Sequence, residues 1–161
     1  MSNFADFLKK DVQMNFSNEK KSSTINYIPK RDCYFEGKTF FNFIDSEEKL
    51  KDYAKLIVYN KISQHSFLEM MSEMLLKSLL FYILATRTDD IECNLENCIE
   101  LIEEKMSDSA EESILTYMMH NLPPDHPARL FYASIEPLPK QTFIDVREKL
   151  RQKLYEAIFD I

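Results

Sequence analysis

The sequence predicts an all-α fold, a compact multi-helix bundle of about six helices, and three observations carry that prediction. Glycine occurs once in 161 residues, at Gly37, so the tight turns and bulges of an all-β chain are hard to supply. The six prolines lie outside the long periodic segments, where an interior proline would break a helix. From residue 46 onward, apolar residues recur at helical spacing behind residues suited to N-capping. A hydrophobic content of 45% in a chain of this length is enough for one domain with its own core.

The expected division is an N-terminal arm over residues 1–44 and a helical domain over 45–161. Residues 1–24 read as a weak amphipathic turn or short helix followed by a polar stretch ending in Lys20-Lys21-Ser22-Ser23. Aromatic and β-branched residues then dominate from Ile25 to Phe43. Cys33-Tyr34-Phe35 and Lys38-Thr39-Phe40-Phe41 can pair as a small hairpin around Glu36-Gly37.

Asp45 or Ser46 caps the first long helix, whose stripe is Leu50, Tyr53, Ala54, Ile57 and Val58, with Glu47 and Glu48 complementing the N-terminal dipole. A polar break at Ser63-Gln64-His65-Ser66 leads to the second. Phe67, Met70, Met71, Met74, Leu75, Leu79 and Tyr82, joined by Leu76, Leu80 and Ile83, give that helix so broad an apolar surface that it must be central to the core. Asn94 caps a third helix with the stripe Leu95, Cys98, Ile99, Ile102 and Met106. Ser109-Ala110-Glu111-Glu112 has the form of a capping box and is expected to open a fourth helix, with Ile114, Leu115 and Met118 as its apolar residues, that Pro123-Pro124 ends. Asp125, ahead of His126 and Pro127, is expected to cap a short helix through Leu130, Phe131 and Ile135. Thr142 is expected to cap the last, with Phe143, Val146, Leu150, Leu154 and Ile158 on one face.

The net charge of −7 disfavours broad binding to DNA or to an anionic membrane, because neutralising phosphates takes clustered Lys and Arg. A protein partner is the better expectation. Glu69, Glu73 and Lys77 interrupt the greasiest stretch, Phe67 to Ala85, so no membrane insertion is expected. Three cysteines with no secretory signal ahead of them point to reduced thiols and a cytoplasmic setting.

No catalytic, cofactor or metal site is expected. Gly37-Lys38-Thr39 imitates the end of a phosphate-binding loop, but Asp32 stands where the motif needs its first glycine. Cys93, Cys98, His120 and His126 match zinc-ligand spacing only weakly, and His65 has no nucleophile motif around it. The distribution of carboxylates is more informative. Between Asp89 and Glu112 the acidic residues have only Lys105 against them. Glu96, Glu100, Glu103, Glu104, Asp108, Glu111 and Glu112 are therefore the candidate partner-binding residues, either as one negative docking surface or as a solvated face. The basic residues of the last helix, Arg147, Lys149, Arg151 and Lys153 among them, are expected to pair with acidic neighbours or water.

From Phe41 to Ile161 the order of features resembles the all-α domain of conjugative type IV coupling proteins of the TraG/TraD family. Phe41-Asn42-Phe43-Ile44-Asp45 precedes an amphipathic helix where the family has an Asn-Pro-Phe-like phrase, although Asn42 lacks the proline after it. Phe67-Leu68-Glu69 through Leu79-Leu80-Phe81-Tyr82 matches an aromatic-Glu opening and a Phe-Tyr ending. His126-Pro127-Ala128, Tyr132 and Thr142-Phe143-Ile144-Asp145 match the closing part. The resemblance implies a module that recognises relaxosome proteins, secretion substrates or DNA cargo. The family's ATPase motifs are missing, which implies a coupling ATPase as parent or partner. The alternative expectation is a small phage- or plasmid-encoded helical regulatory protein that binds a host protein through residues 1–44.

Overall fold

A computed structural model of the chain describes residues 44, 46–59, 66–86 and 93–159. The expected hairpin, the arm apart from Ile44, which is buried in the core, and Cys33, His65, Asp89, Asp90 and Glu92 lie outside the described residues. Among those described, the chain forms six helices: α1 (Glu47–Val58), α2 (Phe67–Thr86), α3 (Leu95–Lys105), α4 (Ile114–His120), α5 (Pro127–Tyr132) and α6 (Lys140–Phe159). The fold of this region is all-α, as the periodicity indicates.

Local chemistry sets where the helices begin. Ser46 Oγ accepts from the Lys49 amide at 3.1 Å, and Asn94 Oδ1 accepts from the Asn97 amide at 2.9 Å, so each satisfies one orphan donor of its helix. A full capping box opens α2: the Glu69 amide donates to Ser66 Oγ and the Ser66 amide donates to Glu69 Oε1, both at 3.1 Å.

Three expected helix starts are corrected. The Ser109 box closes a turn and not a helix, since the Glu112 amide does reach Ser109 Oγ at 3.3 Å but α4 begins only at Ile114. Ser113 decides this: its hydroxyl donates to Ser109 O at 2.7 Å and accepts from the Ser107 amide at 2.8 Å, fixing a tight turn that precedes the helix. At α5 the cap is His126, whose Nδ1 accepts from the Ala128 amide at 3.1 Å, with Pro127 at the first helical position. At α6 the helix starts at Lys140, because Pro139 O already accepts from the Phe143 amide at 2.8 Å, which leaves Thr142 inside the first turn.

The core forms around α2, which packs against α1, α3, α5 and α6. Leu75, Leu76, Leu79, Leu80 and Leu84 are fully buried on it, and Phe143, Val146, Leu150 and Leu154 of α6 meet them as an equally buried stripe. Two short helices orient differently from expectation. The inward pairs are Leu115 with Met119 and Ala128 with Tyr132, each four residues apart. That spacing turns Ile114 and Leu130 out to solvent, where they are about half exposed. The α5 helix also ends at Tyr132, so Ile135 is buried from the turn that follows.

Polar groups inside the bundle are paired. Ser78 Oγ donates to Ala128 O at 2.7 Å, joining α2 to α5. Thr116 Oγ1 donates to Ala110 O at 2.6 Å, which leaves the Tyr132 hydroxyl to donate to Thr116 Oγ1 at 2.7 Å. Burial pushes the Tyr132 phenol up to about 12. On α2, Glu73 and Lys77 form a buried ion pair at 2.7 Å. The Tyr59 hydroxyl bonds to Glu73, and Lys77 Nζ lies 5.4 Å from the Phe131 ring centroid. These partners let two charges sit buried on a largely apolar helix. No described helix is long and apolar enough to cross a membrane.

Candidate functional site

The acidic candidates do not make one surface. An α-helix turns by about 100° per residue, so with Leu95, Cys98, Ile99 and Ile102 of α3 buried inward, the remaining positions fall on two flanks.

One flank is joined to α6. Arg151 Nε donates to Glu103 Oε2 at 2.9 Å and the Tyr155 hydroxyl donates to the same oxygen at 2.8 Å. The Arg151 guanidinium also lies 5.1 Å from the Tyr155 ring centroid. Just beyond α3, Arg147 Nη1 donates to Ser107 O at 2.6 Å and to Asp108 Oδ1 at 3.1 Å. Its Nε reaches Glu148 at 3.0 Å. Lys153, farther along α6, faces Glu69 of α2 at 3.9 Å. The basic face of α6 is thus turned toward acidic neighbours, as expected. Two charge-assisted bonds, first from Tyr155 and then from Arg151, hold the Glu103 carboxyl below the usual carboxylate range. The same contact raises the Tyr155 phenol, because Glu103 stabilises its protonated form. This flank is an intramolecular seam.

The other flank faces α2 across an open groove of about 200 Å³. Asn97, Glu100, Leu101, Glu104 and Lys105 line it from α3 at the i, i+3, i+4, i+7, i+8 spacing of one helix face. Tyr82, Ile83 and Thr86 line it from the last turns of α2. Ile83 is buried, while Tyr82 and Leu101 are half-buried, so the interior of the groove is apolar. The Thr86 hydroxyl donates to Tyr82 O at 2.6 Å and so is satisfied within its own helix. Burial raises the Tyr82 phenol. Glu100 and Glu104 are exposed at the rim and have no ion pair among the described residues.

The other candidates lie apart from both. Glu96 is exposed in the first turn of α3, and Glu111 and Glu112 are exposed on the turn before α4, where Glu112 Oε1 accepts from Ser109 Oγ at 3.0 Å. Of the seven expected residues, only Glu100 and Glu104 share the groove. Sequence reasoning assigned Tyr82 and Ile83 to the core and passed over Leu101. The signal was Leu101 itself, an apolar residue outside the inward stripe of its helix.

The residues considered for zinc are separately engaged. Cys93 and Cys98 are buried thiols, and burial raises the Cys98 thiol far above its ordinary range. His120 Nε2 bonds to Glu136 at 2.8 Å on the surface, and His126 caps α5.

Protein-family models, curated proteins and solved structures were each compared with the chain, and none matches it.

Proposed function

We propose that this chain is a non-catalytic recognition module, comparable in role to the all-α domain of type IV coupling proteins, that docks a basic segment of a relaxosome or secretion-substrate protein. One observation carries the reading. With Glu103 and Asp108 bonded to α6, Glu100 and Glu104 remain exposed and without ion pairs among the described residues, beside an apolar groove. Carboxylates not used by the fold steer a cationic partner toward the site, and apolar area beside them holds it after encounter. The net charge of −7 argues against DNA as the direct ligand of this chain. In this reading the chain works in the cytoplasm, within or alongside a coupling ATPase, and uses no cofactor of its own. The test is capture of purified relaxosome and substrate proteins by the immobilised chain at low and at moderate salt. Capture that weakens as salt rises is the expected result. No capture at low salt would refute the reading.

A further inference from the structure

We infer that the groove between α2 and α3 takes an extended segment of a partner protein in which one aliphatic or aromatic side chain is flanked by Arg or Lys. This rests on the recognition reading above and adds to it the place and the sequence character of the bound segment. Size is the first argument. At about 200 Å³ the groove falls below the roughly 300 to 1,000 Å³ of typical small-molecule sites, and it suits one or two side chains. The interior is the second: Tyr82, Ile83 and Leu101 offer apolar surface, so the inserted side chain must be apolar for its burial to be favourable.

Charge complementarity fixes the flanks. Glu100 and Glu104 stand four residues apart on one face, with Cβ atoms about 5 to 6 Å apart, close enough to accept from one guanidinium or to face two ammonium groups. Among the described residues that line the groove, Lys105 alone opposes them. A phosphate-bearing ligand would be repelled by the two carboxylates. A second copy of the chain is a poor occupant because each copy carries a net charge of −7.

The experiment is a titration of the full chain, followed by amide chemical shifts, with a blocked heptapeptide holding one leucine between two arginines. The expected result is a set of shifts centred on Tyr82, Thr86, Leu101 and Glu104. Replacing the leucine by serine, or the arginines by glutamates, should weaken binding by on the order of tenfold or more. The doubly substituted chain Glu100→Gln, Glu104→Gln should bind several-fold more weakly with an unchanged thermal midpoint, since neither side chain has an ion pair to lose among the described residues. The inference is overturned by equal affinity of the wild-type and substituted chains, by shifts centred elsewhere, such as on the exposed Ile114 and Tyr117, or by no shift at about 5 mM peptide. Shifts that follow protein concentration instead of peptide would point to a second copy and overturn it too. Repeating the relaxosome capture with the substituted chain separates this inference from the reading it rests on. Undiminished capture would remove the groove and leave the recognition role standing. A peptide result as expected with no partner captured would retain the groove and remove that role.

Discussion

Glu103 and Glu104 are neighbours in sequence and do opposite things. Glu103 accepts from Arg151 and Tyr155 and ties α3 to α6, whereas Glu104 stands at the rim of the groove toward α2. Residues one apart on a helix do not share a face, so an acidic run divides between the helix's neighbours. A charge run therefore measures how much charge an element carries. Which part remains available to a partner depends on what packs against each flank.

The largest expected effect removes what both flanks share. Leu79 is fully buried on α2, the helix that borders the groove and packs against α6. Leu79→Ala should lower stability by about 2 to 5 kcal/mol through lost burial and the cavity left behind. Denaturant unfolding monitored by circular dichroism checks it, and an unchanged midpoint would contradict the packing.

Charge reversal separates the flanks. Glu103→Lys breaks two bonds and places a cation beside Arg151, so it should destabilise by on the order of 1 kcal/mol. Glu104→Lys should change stability by less than about 0.5 kcal/mol, as substitutions at unengaged surface positions do. Equal effects in thermal unfolding would erase the distinction. It follows that reversing Glu100, Glu103 and Glu104 together is not neutral for the fold, contrary to what the apolar stripe alone suggests.

The smallest effect is in acid. The folded-state pKa of Glu103 is depressed, so its contribution to stability is present above the ordinary carboxylate value of roughly 4.3 and is lost as pH falls through the folded value. Glu103→Gln should therefore make the fall in stability below that pH shallower, by at most about one proton in slope. A slope identical to wild type would show that the Tyr155 and Arg151 bonds do not persist in solution.

Much of the fold is legible in the residues, and the exceptions share a cause. The stripes of α1, α3 and α6 are read from spacing alone, and Ser46 and Asn94 cap as their side chains suggest. The Ser66 and Glu69 box that opens α2 has capping-box spacing too, although the sequence reading takes Ser66 only as part of a polar break. The start of α4 was not, because the Ser113 hydroxyl bridges Ser107 and Ser109 across a turn that a capping-box pattern does not reveal. Leu130 and Ile114 mislead for a related reason: helices of six or seven residues carry too few turns for a stripe to declare itself. For the site, sequence supplied the carboxylates. The groove is built from α2 and α3 together, and which face of α3 meets α2 and which meets α6 is a tertiary fact.

The central claim is that partner recognition belongs to the groove flank of α3 and not to the seam. The most direct measurement is the association rate of a captured relaxosome or substrate protein with wild type, with Glu100→Lys, Glu104→Lys, and with Glu103→Gln, at two salt concentrations. The account predicts that the groove-flank reversal slows association by on the order of tenfold at low salt and flattens its salt dependence. Glu103→Gln should leave the rate near wild type, because Glu103 is already bonded to Arg151 and Tyr155. Equal rates for all three chains, or a slowing confined to Glu103→Gln, would contradict it.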